Sequence, residues 1–145
     1  MMKIETKYFG KMTINEEKII RFEKGLPGFY DEKTFVLIDF PDNPVFQILQ
    51  STTTAVVAFV VASPYHFQMD YTFDLSEQTK EGLGITKPEE VKVLSILTLR
   101  DPFIDSTINL QAPLIINAES LIGEQIILND RFSTRTPLQT EKARA

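Results

Sequence analysis

Ala55-Val56-Val57-Ala58-Phe59-Val60-Val61-Ala62-Ser63-Pro64 runs directly into Tyr65-His66-Phe67-Gln68-Met69-Asp70-Tyr71-Thr72-Phe73-Asp74-Leu75, and these residues decide the fold class. The first eight are apolar without a break. A strand of that kind has no solvent face, so it reads as the most central strand of a sheet covered on both sides. Pro64, which has no backbone N–H for a ladder, ends it. From Tyr65 onward the pattern changes to strict alternation, with Phe67, Met69, Tyr71, Phe73 and Leu75 set against polar His66, Gln68, Asp70, Thr72 and Asp74. A period of two predicts a long half-buried strand over 65–75, aromatic side inward.

Outward from this centre the chain reads as short β-branched and aromatic runs punctuated by Gly and Pro. Strands are predicted at Lys3–Tyr8, Met12–Ile14, Ile19–Phe22, Thr34–Phe40, Phe46–Gln50, Val91–Leu99, Ser106–Leu110, Leu114–Asn117 and Glu124–Leu128. Helix is scarce. Ser76 is an N-cap for Glu77–Glu81, with Gly82 and Gly84 to stop it, and Thr86-Lys87-Pro88-Glu89 can start one more turn. Gly25-Leu26-Pro27-Gly28 and Asp101-Pro102 mark corners. The expected architecture is a mainly β, small antiparallel β-barrel-like single domain spanning 1–145, of about ten short strands with one or two short helical turns, because closure hides sheet edges. Residues 131–145, with four Lys/Arg against one Glu, read as a flexible basic tail.

Composition excludes much chemistry. The 145 residues include one His and no Cys, so disulfides, thiolate zinc sites, iron–sulfur clusters and a cysteine nucleophile are out. No window approaches the ~18 apolar residues of a membrane span, and the start has no apolar signal region, so a cytoplasmic protein is expected, without membrane contact. His66 and Asp70, four apart on the predicted strand, point the same way, but no nucleophile elbow accompanies them. Gly82-Leu83-Gly84 lacks the rest of a phosphate loop. Acid pairs such as Asp101 with Asp105, or Glu89 with Glu90, are what twenty acidic residues produce by chance. The chain therefore reads as no enzyme, with no cofactor and no metal.

Charge points to binding. Residues 1–24 carry six Lys/Arg and four Glu, whereas 25–130 carry five basic and fifteen acidic residues, and 101–130 has no base at all. Such a surface repels nucleic acid and favours basic partners. Within 65–90, Asp70, Asp74, Glu77, Glu81, Glu89 and Glu90 face only Lys80 and Lys87. The candidate partner-binding residues are Asp70, Tyr71, Phe73, Asp74, Glu77, Glu89 and Glu90, with Tyr71 and Phe73 equally readable as core packing. Exposed strand edges offer a second docking mode, strand addition.

A resemblance names the partners. Thr6-Lys7-Tyr8-Phe9-Gly10-Lys11, Ile20-Arg21-Phe22-Glu23-Lys24-Gly25-Leu26-Pro27-Gly28-Phe29, Phe46-Gln47-Ile48-Leu49-Gln50-Ser51, Ala58-Phe59-Val60-Val61, Leu97-Thr98-Leu99-Arg100-Asp101-Pro102, Asn109 to Asn117 and Gly123 to Leu128 are similar, in order and spacing, to the bacterial flagellar assembly factor FliW family. The resemblance covers nearly the whole chain. It implies a non-enzymatic cytoplasmic protein, monomeric when free, that binds flagellin and, when free of it, binds and antagonises the RNA-binding regulator CsrA, relieving repression of flagellin translation. Thr136 stands where the resemblance leads one to expect a histidine. Antagonism has two open routes, direct phosphate mimicry in the RNA groove of CsrA or action from a remote site, and the resemblance favours the second. A flagellin chaperone with no regulatory role is the remaining alternative.

Overall fold

The structure is a computed structural model, and it describes residues 1–68, 70–128 and 132–138. Eleven strands and one α-helix are present among these residues: β1 Met2–Thr6, β2 Gly10–Ile14, β3 Ile20–Arg21, β4 Thr34–Phe40, β5 Asn43–Ser51, β6 Ala58–Ala62, α1 Glu77–Leu83, β7 Val91–Thr98, β8 Thr107–Ile108, β9 Leu114–Asn117, β10 Gly123–Gln125 and β11 Thr136–Pro137. Antiparallel pairing orders the main sheet β10-β9-β7-β6-β5-β4-β3, with β8 beside the end of β7 and β11 beside β8. β1 and β2 form a separate hairpin in the register Met2 to Ile14.

Of the apolar run quoted first, Ala58–Ala62 sits mid-sheet as β6, whereas Ala55 and Val56 form a turn before it, with Val56 exposed. β6 pairs with β5 from Phe46–Ala62 to Gln50–Ala58 and with β7 through Val61–Ile96 and Ala62–Ser95. Alternate residues of β4, β5 and β6 feed two different cores. Phe35, Leu49 and Val61 join Phe22, Leu26, Leu94, Leu114 and Ile116 inside the curled sheet. Val36, Ile48, Val60 and Ala62 face the other way, onto Ile4 and Ile14 of the hairpin together with Tyr71, Leu97, Ile108, Leu110 and Leu138. Burial on both faces is why these strands lack polar alternation. Gln50, buried on β5, is satisfied in place: its amide donates to the carbonyls of Ser51 and Ala55, 3.0 Å each, and its oxygen accepts from the Lys7 N–H at 3.0 Å.

Curling brings the two ends of the sheet together. Arg21 beside β10 forms a single parallel bridge to Ile122, its N–H donating to the Leu121 carbonyl at 2.9 Å. The barrel is thus joined by one bridge rather than a full ladder. At this seam a Cβ on Gly123 would stand 2.7 Å from the Phe22 ring and 3.2 Å from Ile116. Only glycine permits that approach.

The strand expected over 65–75 does not form. Pro64–His66 is a 3-10 turn with Pro64 at its first position, and residues 70–76 are irregular. Alternation recorded burial, not pairing: Tyr71, Phe73 and Phe67 do turn inward, while Tyr65 lies exposed. No neighbouring strand offers this segment a ladder among the described residues, and the turn at Pro64 diverts it from β7. Met69 lies outside the described residues. The tail also differs from expectation, because Thr136 and Pro137 pair with Ile108 and Thr107, Leu138 is buried, and the Phe132 ring meets Tyr71 at 4.8 Å. Residues 129–131 and 139–145 are outside the described residues. Elsewhere β4 and β9 have the predicted limits, β8 and β10 are shorter, and α1 runs to Leu83 before Gly84 caps it in the left-handed region at φ 66°.

Gly123→Ala should lower stability by about 1–3 kcal/mol, the usual range for overpacking a filled site. The measurement is urea unfolding, with a lower midpoint at unchanged slope. Tyr71→Phe removes the hydroxyl that donates to the Leu110 carbonyl at 2.6 Å and should cost about 1 kcal/mol by the same assay.

Candidate functional site

The segment after Pro64 crosses the outer core and leads into α1. Ser76 caps that helix, its hydroxyl accepting from the Thr79 N–H at 3.1 Å. The other end is fixed from the sheet: the Asn117 amide donates to the Leu83 carbonyl at 2.8 Å, while its oxygen accepts from the N–H groups of Glu119 and Ser120. Between residues 73–75, Lys80 of α1 and the loop 85–88 lies a groove of 350 Å³, floored by Val91 and Val93. Phe73, Asp74, Lys87 and Pro88 are among its lining residues.

The seven candidate residues have separate fates. Asp70, Asp74, Glu77 and Glu89 are exposed. Asp74 lines the groove; Glu77 flanks it, paired at 3.3 Å with Lys80; Glu89 comes after Pro88 in a 3-10 turn, Pro88–Glu90. Phe73 is half-buried and packs on the Tyr71 ring, with centroids 5.3 Å apart. Tyr71 is 1% exposed, and burial raises its phenol pKa. Its ring is core.

Glu90 corrects the reading of an exposed acid. It is 9% exposed, and one carboxylate oxygen accepts from the Thr86 N–H and hydroxyl, 2.9 Å each, and from the Lys87 N–H at 3.1 Å. The Thr86 N–H above all, then its hydroxyl and the Lys87 N–H, hold the carboxyl below its ordinary value of 4.5. Sequence spacing hid this role, since the chain folds back on itself only when Pro88 starts the turn. The groove's apolar floor was equally hidden: Val91 and Val93 read as a strand, and nothing marked which side of it stays open.

His66 and Asp70 lose their shared face along with the predicted strand; the His66 ring instead meets Phe67 edge-on at 5.0 Å. No group of three or more His, Asp or Glu is placed to hold a metal among the described residues. No helix among them is long and apolar enough to cross a membrane. Glu32, a titratable group the sequence did not single out, is held by the loop 51–54. Its carboxylate accepts from Ser51, Thr54 at 2.8 Å and Thr53 at 3.3 Å, and the Ser51 hydroxyl chiefly lowers its pKa.

A curled antiparallel sheet, a helix of two turns, and a groove whose charged lining is Asp74, Lys80 and Lys87 describe a small β protein. Comparison with known proteins specifies the class further. The sequence model of the family described as FliW protein matches residues 3–138. Flagellar assembly factor FliW of Bacillus subtilis (strain 168) is 45% identical over 141 residues, covering 97% of this chain and 99% of that protein. The protein of the same name from Exiguobacterium sp. (strain ATCC BAA-1283 / AT1b) is 48% identical over 142 residues, 98% of each chain. A crystal structure of the flagellar assembly factor FliW superposes with a TM-score of 0.88 at 43% identity, over 97% of this chain and 99% of that one. The chain belongs to the FliW family of flagellar assembly factors.

Replacing Glu90 by Gln tests its structural role through pH. A carboxyl whose folded pKa is depressed contributes stability that is fully present above its unfolded value, and this contribution is lost as pH falls through the folded value. Wild type should therefore be the more stable at neutral pH, and the difference should shrink as pH drops below 4.5. Thermal unfolding of both proteins across that range is the measurement.

Proposed function

We propose that this chain binds cytoplasmic flagellin and, when free of it, binds CsrA and antagonises its repression of flagellin translation. It acts as a monomer in the cytoplasm, without cofactor and without touching nucleic acid, and it catalyses nothing. The observation that carries this reading is the groove beside Phe73, with exposed Asp74, Glu77 and Glu89 on and around it, in a chain of the FliW family. The apolar floor suits a partner's apolar strip. Lys80 and Lys87 share the lining with Asp74, but Lys80 is paired with Glu77, and the exposed Asp74 and Glu89 suit basic groups beside that strip.

The remote route of antagonism is favoured over phosphate mimicry. Mimicry needs a row of free carboxylates, yet Glu90 is spent on its own loop and Glu77 shares its charge with Lys80. What remains is enough to steer a basic surface without imitating an RNA backbone. A coupling between the two partners is then reciprocal, readable from either one.

Two measurements check the reading. Flagellin in excess should strip CsrA from the protein in a competition titration, and a stable ternary complex with undiminished affinities would refute the exchange. A dedicated flagellin chaperone would bind flagellin and leave CsrA alone. Reversing Asp74, Glu77 and Glu89 together to Lys should slow association with CsrA about tenfold or more at low salt. The rates should converge near 1 M salt, where the screening length is about 3 Å. An association rate equal to wild type at every salt concentration would return these acids to plain solvation.

A further inference from the structure

β3 is too short for the strand beside it. It pairs only Ile20 with Phe35 and Arg21 with Thr34, whereas β4 continues to Phe40. Val36–Asp39 thus have β5 along one edge and no strand along the other among the described residues. This leaves a gap in the barrel wall, and the gap holds a cavity of 590 Å³.

Two unbroken runs, Met12–Asn15 and Val36–Asp39, line that cavity. Successive side chains of a strand point to opposite faces, so an unbroken run means that the cavity looks onto the strand's backbone edge. The outer edge of β2 carries no partner strand among the described residues either. Ile20, Leu37, Ile116 and Leu121 give the cavity an apolar floor. At the rim stand Lys18 and Lys92, both exposed and in no ion pair among the described residues. Asp39, the acid at the same rim, accepts from the Gln47 amide at 2.8 Å.

We propose that this slot is a strand-addition site, taking an extended segment of a partner polypeptide that alternates apolar and acidic residues, with its backbone between the open edges of β4 and β2. Alternate side chains of such a segment point down to the apolar floor and out to Lys18 and Lys92. The charge sets the partner: a chain of net charge −5 keeps two unpaired lysines here. A second copy is a poor fit, because the outward face of its hairpin brings Lys3 and Lys11 against the single acid Glu5, which already pairs with Lys11. The slot and the groove beside Phe73 have no lining residue in common, although both touch β7, the slot through Lys92 and the groove through Val91 and Val93.

The test uses a labelled seven-residue peptide alternating valine and glutamate, blocked at both ends, titrated by fluorescence anisotropy. It should bind the wild-type protein and slow amide hydrogen exchange within 12–15 and 36–39. The same peptide with lysine in place of glutamate should bind at least tenfold more weakly. Lys18→Glu/Lys92→Glu should lose at least tenfold for the glutamate peptide, whereas the triple reversal of Asp74, Glu77 and Glu89 should bind it as wild type does. The proposal is overturned by absence of binding, by equal affinity for the two peptides, by protection elsewhere in the chain, or by a dimer that already protects both edges. The peptide swap is made on the unaltered protein, so it decides the matter even if the lysine variant misfolds.

Discussion

Two-sided burial of β4, β5 and β6 is the constraint on which the other elements depend. Phe35, Leu49 and Val61 on one face and Val36, Ile48 and Val60 on the other leave these strands no wet side, so two separate covers must be supplied. The curl of the sheet itself covers the inner face, down to the Arg21–Ile122 bridge and the Gly123–Phe22 contact. The outer face needs additional chain. The hairpin β1–β2, the irregular segment 70–76 and residues 132–138 are recruited for it, none of which would hold a fixed shape without that face to pack on.

Much of this was legible because hydrophobic pattern and turn chemistry agreed. The run 55–62 has no polar residue, and the structure puts its second part, 58–62, mid-sheet as β6 while Val56 is exposed in a turn; Ser76 and Gly84 bracket α1 as capping rules require. The error at 65–75 has a physical source. A period of two records which side chains are buried, and an irregular segment laid across a core can show it as well as a strand can. Pairing requires a free neighbour, and no property of residues 65–75 tells whether one exists. Thr136-Pro137 failed in the opposite sense, since a two-residue strand beside an equally short β8 has too little pattern to be read.

The site was legible in part. Counting acids singled out the stretch 70–90, but charge alone cannot separate an acid that faces solvent from one that faces its own backbone. Glu90 and Glu89 are neighbours in sequence, yet one binds three donors of its loop while the other is exposed. The 3-10 turn at Pro88 makes that division, and its geometry is set by its junction with β7 at Val91. The wall gap left by β3 was still further from view, because it consists of strands that end early rather than of residues that are present.

The outer core also has a temporal meaning. Ile4 and Leu138 belong to one cluster, and Tyr71 within it is touched by Phe132 and anchored to Leu110. Ribosomes make the chain from Ile4 toward Leu138, so the hairpin and the segment around Tyr71 are released before the residues that finish their packing exist. The nascent protein consequently carries an unfinished apolar face through nearly all of its translation, and the sheet becomes fully clothed only when residue 138 has left the exit tunnel.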